Sequence, residues 1–229
     1  MNLSKAELAK LIDHTNLRPD AVRADIVRLC AEAREFGFGA VCVASCYTPT
    51  AVSQLYGTGI KVCTVIGFPH GTASLAAKVA EARQAALDGT DEIDVVLNVG
   101  AIKEGDTAYA MSEADKVIEG ARDIRKDIHV KLILETGYLT DQEKLVGCWV
   151  ATGAGADAVK TSTGYGPKGA TAEDVRFLRR AVGSALGVKA AGGIRNLAFA
   201  LAMLEAGADR LGTSSGVAIM QEWPGMWGC

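Results

Sequence analysis

Two textures alternate along this chain. Short apolar or β-branched runs fall at residues 11–14, 40–44, 62–66, 92–97, 130–135, 157–161, 187–191 and 210–213, the length and composition expected of strands. The stretches between them place apolar residues at helical spacing, as in Val22, Ile26, Leu29, Cys30, Ala33 and Phe36, or Leu75, Val79, Ala82 and Ala86, the stripe of a helix that covers a sheet. Four passages repeat one junction, a helix ending in glycine followed by an apolar strand: FGFGAVCVAS, DGTDEIDVVL, TGAGADAVKTS and EAGADRLGTS. In each, Gly37, Gly89, Gly155 or Gly207 stands where a helix end needs a left-handed residue. Thr140 with Glu143 forms a capping box, and Thr171 with Asp174 approximates one. Eight strands alternating with helices predict one (β/α)8 TIM barrel over residues 1–229; an open doubly wound sheet would show the same alternation.

Composition narrows the class of function. Of the 229 residues, 49% are apolar, enough for one substantial core, and the formal net charge is only -3. No basic stripe marks a nucleic acid or an anionic membrane as partner, so a small molecule is the expected one. The first residues, MNLSKAELAK, lack the apolar stretch of a signal peptide, and nowhere do 18 apolar residues run together; the expected location is the cytoplasm. Six cysteines, Cys30, Cys42, Cys46, Cys63, Cys148 and Cys229, form no CxxC pair and read as reduced thiols. The three histidines, His14, His70 and His129, offer no paired-ligand spacing, so no metal is expected. Residues 164–169, GYGPKG, match GxGxxG. Yet the acid that should follow about 20 residues on is replaced by Lys189, Ala190, Ala191, Gly192 and Gly193, and Ala170 stands where a P-loop needs lysine; no nucleotide cofactor is expected.

Charges inside the strands carry the chemistry. Barrel strands are buried on both faces, and an unpaired charge there costs on the order of several kcal/mol. Lys160 near the end of the sixth strand, Lys189 in the seventh, Asp94 in the fourth and Asp13 at the end of the first therefore need a reason. If the barrel closes, strands six and seven are neighbours, and two lysines in a low-dielectric mouth depress one another's pKa. A neutral lysine attacks a carbonyl, and the iminium formed is an electron sink for C–C cleavage. Asp94 could pair with Lys189 and relay protons. Lys61 and Lys131 are read as snorkelling at the non-catalytic rim, and Asp91, Asp157 and Asp209 as caps and surface pairs. Glu135 ends a strand at the catalytic face, where it would orient neighbours or serve as a base.

Two small-residue turns follow the last strands: Gly192-Gly193-Ile194-Arg195-Asn196 and Gly212-Thr213-Ser214-Ser215-Gly216. Backbone N–H groups and serine hydroxyls at that end of a barrel bind phosphate, with Arg195 as a possible rim cation.

The residues resemble the deoxyribose-phosphate aldolase family of class I aldolases through nearly the whole chain. The resemblance runs through IDHTNL (12–17), VCVASCYTPTA (41–51), TVIGFPHG (64–71), DEIDVVLNVGAIKEG (91–105), VKLILETGYL (130–139), GADAVKTSTGYGPKGAT (155–171), VKAAGGIRN (188–196) and AGADRLGTSSG (206–216). It implies reversible cleavage of 2-deoxy-D-ribose 5-phosphate to acetaldehyde and D-glyceraldehyde 3-phosphate without a cofactor. Lys160 would form the Schiff base, with Asp94 and Lys189 as the proton relay. Asp13, Thr15, Thr161, Gly192, Gly193, Gly212, Ser214 and Ser215 would bind substrate, and a homodimer or homotetramer is possible. Two departures stand out. Ala191 replaces the serine common in VKASGG, and the tail MQEWPGMWGC lacks the tyrosine that some members carry. Cys42 in VCV is read as a packed strand thiol within possible reach of aldehyde. Another Schiff-base aldolase or a transaldolase, a Glu135-based phosphosugar isomerase, and a non-catalytic phosphate-binding barrel are the competing readings.

Overall fold

In the computed structural model, which describes residues 3–223, eight parallel strands close on themselves. They are β1 (Ile12–Asn16), β2 (Ala40–Val43), β3 (Lys61–Ile66), β4 (Glu92–Val96), β5 (His129–Ile133), β6 (Ala158–Lys160), β7 (Gly187–Ala191) and β8 (Arg210–Thr213). Closure is decided by β1, which pairs with β2 on one side and with β8 on the other, Asp13 lying opposite both Ala40 and Gly212. An open sheet is thereby excluded.

Helix α1 (Lys5–Lys10) precedes the barrel. Between successive strands run α2 (Arg23–Phe36), α3 (Thr48–Leu55), α4 (Leu75–Leu87), α5 (Val99–Glu104) with α6 (Thr107–Ile124), α7 (Asp141–Gly153), α8 (Ala172–Val182) and α9 (Leu197–Glu205); α10 (Gly216–Gln221) follows β8. Thr140 and Glu143 form the full capping box of α7. Thr171 caps α8, but Asp174 turns instead to Lys144 and Thr136, so that box is half formed. Gly37, Gly89, Gly155 and Gly207 all have positive φ. Val22 is the N-cap of α2 and is exposed rather than part of its buried stripe.

The apolar core lies outside the strands. Ile12, Val41, Ile93, Leu132, Val159 and Leu211 face the helices and join one continuous cluster, as the two-residue period of a strand requires. Residues of the opposite parity fill the interior, where branched apolar layers are usual. Here the interior apolar cluster is small, formed by Cys42, Cys63 and Val65 with Leu17 and Phe68 against it, and the buried charges of Asp13, Glu92, Asp94, Lys131, Lys160 and Lys189 share the interior with it.

Lys131 belongs to that interior, which corrects its reading as a rim residue. His129 begins β5, so Lys131 is the strand's third residue; it registers with Asp94 and is fully buried. Lys61 does begin its strand, is exposed, and pairs loosely with Asp91 at 3.7 Å. Strand β1 is likewise shifted, so Asp13 is its second residue and not its last.

The N-terminal end of the barrel is latched by aspartates. Asp91, Asp157 and Asp209 each precede a strand and accept the backbone N–H of Val62, Val130 or Val188 in the strand before, at 2.9, 2.7 and 2.8 Å. Each also meets an arginine: Arg125, Arg122 and Arg179 respectively.

Candidate active site

A cavity of about 450 Å³ opens at the C-terminal ends of the strands, where barrel active sites form. Of the residues singled out from sequence, Thr15, Lys160, Gly192, Gly193, Gly212 and Ser214 line it. Asp94 and Lys189 lie immediately behind, with the Lys160 and Lys189 ammonium groups donating to the same Asp94 oxygen, Oδ2, at 2.8 and 2.7 Å. Asp13 lies deeper, in ionic contact with Lys189 at 2.5 Å and paired with Arg210. Thr161 is buried and stitches β6 to β7 by bonding both the N–H and the C=O of Ala191 at 3.1 Å. Ser215 is outside the cavity lining and sits at the start of α10, its N–H bonded to Thr213 Oγ1 at 2.9 Å.

Below the cavity the charged groups close into a ring. Asp13 contacts Lys189, Lys189 contacts Asp94, Asp94 Oδ1 accepts from Lys131 at 3.1 Å, Lys131 contacts Glu92, Glu92 meets Arg210 at 3.3 Å, and Arg210 returns to Asp13. Three cations alternate with three anions, and Lys160 is attached at Asp94 as a seventh member. Burial alone would raise the Asp94 carboxyl, but Lys131, Lys160 and Lys189 outweigh it and hold the group well below the usual carboxylate range. Asp13 is held at about 2 because Lys189 and Arg210 outweigh its burial. Burial also works against the Lys189 ammonium, yet Asp13 and Asp94 outweigh it, and Lys189 lies well above its ordinary value. The expected depression of Lys189 by its lysine neighbour is therefore reversed: the carboxylate between the two nitrogens dominates.

The remaining walls suit a phosphorylated sugar. Gly192 and Gly193 have φ of 93° and 79°, a conformation that favours glycine, and they present the β7 turn to the cavity beside Gly212 and Ser214. A Cβ on Gly212 would stand 3.0 Å from the Ala191 Cβ and 3.1 Å from the Lys189 Cε, so backbone is kept close to the reactive end of the pocket. Arg195, Arg18 and Arg28 also line the cavity. Tyr165, from the GYGPKG segment, bonds the Leu17 carbonyl at 2.8 Å and stacks edge-on against Phe68. That segment forms a wall of the mouth.

Glu135 is buried in a left-handed conformation at φ 56° and accepts the Thr163 N–H at 3.0 Å and its hydroxyl. It does not line the main cavity, which leaves the carboxylate-base alternative without its base. Cys42 is fully buried and faces Cys63 across the β2–β3 ladder. The thiols of Cys42 and Cys63 and the Asp94 carboxylate gather within 4.8 Å. Three ammonium groups already occupy Asp94 and oppose any cation there. Trp223 packs on the core, while Met226, Trp227 and Cys229 of the tail lie outside the described residues.

Residues 8–222 match the family model of the DeoC/LacD family aldolases. The chain belongs to this family. The aldolase is 50% identical over 216 residues to the deoxyribose-phosphate aldolase of Thermoanaerobacter sp. (strain X514), covering 94% of this chain and 96% of that one. It is 52% identical over 217 residues to the deoxyribose-phosphate aldolase of Thermococcus gammatolerans, with 94% and 96% covered. The tetrameric deoxyribose phosphate aldolase structure from Aeropyrum pernix superposes with a TM-score of 0.90 at 34% identity, covering 96% of this aldolase and 92% of that chain.

Sequence reasoning did not assign Lys131, Glu92 or Arg210 to the aldolase interior. The signal was available as parity: Glu92 and Asp94 share a face of one strand, and Lys131 shares a register row with Asp94.

Proposed function

We infer that this chain is a class I aldolase that reversibly cleaves 2-deoxy-D-ribose 5-phosphate to acetaldehyde and D-glyceraldehyde 3-phosphate, serving deoxyribonucleoside breakdown. The observation that carries the reading is Lys160. It is the interior lysine that reaches the cavity, and it shares one carboxylate oxygen with a second lysine behind it.

The substrate 5-phosphate binds the Gly192–Gly193 turn and Ser214, placing the aldehyde carbon toward Lys160. The neutral Lys160 amine adds to C1, and loss of water from the carbinolamine gives the iminium. A base removes the 3-hydroxyl proton, C3 becomes the aldehyde of glyceraldehyde 3-phosphate, and the C2–C3 electron pair flows into the iminium as an enamine. Protonation of the enamine at C2 restores the iminium, and water releases acetaldehyde and free Lys160. Asp94 and Lys189 form the relay, since an ionised carboxylate between two amines can pass a proton from one to the other. The electron sink is the iminium itself.

We also place the protein in the cytoplasm. No described helix is long and apolar enough to cross a membrane, and five described cysteines are free thiols. Exposed apolar side chains such as Tyr56, Leu87 and Trp149 offer surface for self-association, in line with the tetrameric relative; light scattering at micromolar concentration reads the assembly.

The test is incubation with 2-deoxy-D-ribose 5-phosphate and borohydride, followed by peptide mass mapping. A reduced adduct on Lys160 with release of the two aldehydes is expected. Turnover without any adduct would overturn the imine, and an adduct formed only with other sugar phosphates would move the assignment to another Schiff-base aldolase or a transaldolase.

A further inference from the structure

Lys131 and Glu92 touch neither the cavity nor Lys160, yet both are buried at the centre of the barrel. A buried ion pair is weak evidence of added stability, because well-packed apolar residues of similar volume often serve as well. Their presence therefore asks for another account, and the arrangement of charge supplies it.

We propose that Lys131 and Glu92 are positioning residues for imine formation: they complete a ring whose charges cancel, so that Lys160, among the described residues, is the cation of the barrel interior left without an anion of its own. The proposal rests on the reading of Lys160 as the Schiff-base residue. Its geometry is on both sides of Asp94. Oδ1 is taken by Lys131, which fixes the carboxylate, and Oδ2 is presented to Lys160 and Lys189. Glu92 in turn divides itself between Lys131 and Arg210, one oxygen to each. Lys131, Lys189 and Arg210 are thus matched by Asp13, Glu92 and Asp94 without any contribution from Lys160.

Losing the Lys160 proton leaves the interior neutral, and keeping it leaves one unmatched positive charge. A ring short of one cation would hold the proton on Lys160, and a ring short of one anion would expel it. Asp94 on β4 is the charged group in contact with Lys160; Lys189 on β7 and Lys131 on β5 reach it through that carboxylate, and the Cys42 thiol on β2 and the Cys63 thiol on β3 gather beside Asp94. Cys63 stays protonated because burial drives its thiol well above the ordinary value. On the mouth side, Glu135 is bound to Thr163, and Tyr165 lines the cavity.

The experiment measures the pH profile of borohydride-trappable adduct formation on Lys160, by mass mapping, in folded full-length variants. Lys131→Met is expected to move the acid limb up by about one pH unit, a tenfold slower trapping at a fixed pH below the limb. Glu92→Gln, nearly isosteric, is expected to move it down by a similar amount, and Lys131→Met/Glu92→Gln to return it close to wild type. A purely structural role predicts lower amplitude with an unmoved limb, or limbs that move together, and either result overturns the proposal. If Lys131→Met does not fold, the downward shift in Glu92→Gln and its cancellation in the double variant still decide the sign. A wild-type protein that forms no Lys160 adduct would instead overturn the Schiff-base reading itself, before any variant is compared.

Discussion

The two ends of the barrel use the same chemical pair, carboxylate and cation, for opposite purposes. At the N-terminal end, Asp91, Asp157 and Asp209 hold neighbouring strands together through backbone N–H groups and arginines, with their side chains 23%, 35% and 57% exposed. Water screens those pairs, and each is worth little beyond its hydrogen bonds. Higher in the barrel, Asp13, Asp94, Lys131 and Lys189 are essentially inaccessible, so each charge there must be answered by another at contact distance. Depth separates a latch from the proposed reaction centre: the residue types are shared, but only the buried charges have to be answered by one another rather than by water.

Substitutions sharpen that contrast in descending order of effect. Lys160→Met should keep the fold and lower kcat/KM to below about 10⁻⁴ of wild type; normal cleavage of 2-deoxy-D-ribose 5-phosphate by the folded variant would refute the mechanism. Asp94→Asn and Lys189→Leu should each lower kcat by about 10²- to 10⁴-fold. Both should also lose about 3–5 kcal/mol of stability, because a buried partner is left unmatched, and urea titration beside steady-state kinetics separates the two losses.

Acid should act on the interior next. Asp13 falls from its ordinary 3.8 to about 2 on folding, so the stability it contributes is present above the unfolded value and is lost as pH drops through the folded one. Unfolding free energy should therefore decline between about pH 4 and 2, by on the order of 2 kcal/mol from this group. In Asp13→Asn that part of the slope should vanish, and an unchanged slope in urea titrations at pH 5, 4 and 3 would contradict the assignment. The smallest effect belongs to the latches. Asp157→Ala should cost about 1 kcal/mol and leave kcat unchanged, whereas a fall in kcat would show that the two ends are coupled.

Much of this architecture was legible because the strands announce themselves twice, by apolar content and by the glycine ending the preceding helix. Strand β8 occupies the residues expected of it, Arg210–Thr213. Less legible was the start of a strand, and one such shift misplaced Lys131. His129 is polar enough to read as loop, so with the strand taken from residue 130 Lys131 looked like part of its start at the rim instead of a third residue facing Asp94. The small-residue turns after β7 and β8 were recognisable from sequence, and Gly192, Gly193, Gly212 and Ser214 do line the cavity. Thr161 was assigned to substrate, but its hydroxyl is engaged by the Ala191 backbone on the next strand, a cross-strand relation that no local pattern carries. The reversed shift of Lys189 has a similar cause. Two lysines on adjacent strands suggested repulsion, and only the folded chain reveals that one carboxylate oxygen lies against both nitrogens.

The closed circuit of Asp13, Lys189, Asp94, Lys131, Glu92 and Arg210 also keeps its own pairings apart from the surroundings. Alternating charges that return on themselves leave a weak far field, and dissolved ions do not enter the buried interior. Added salt, with a screening length of about 8 Å at physiological strength, acts instead on the open pocket with its arginines and backbone dipoles. Ionic strength therefore acts on how readily an anionic sugar arrives, and leaves the pairings of the buried circuit as they are.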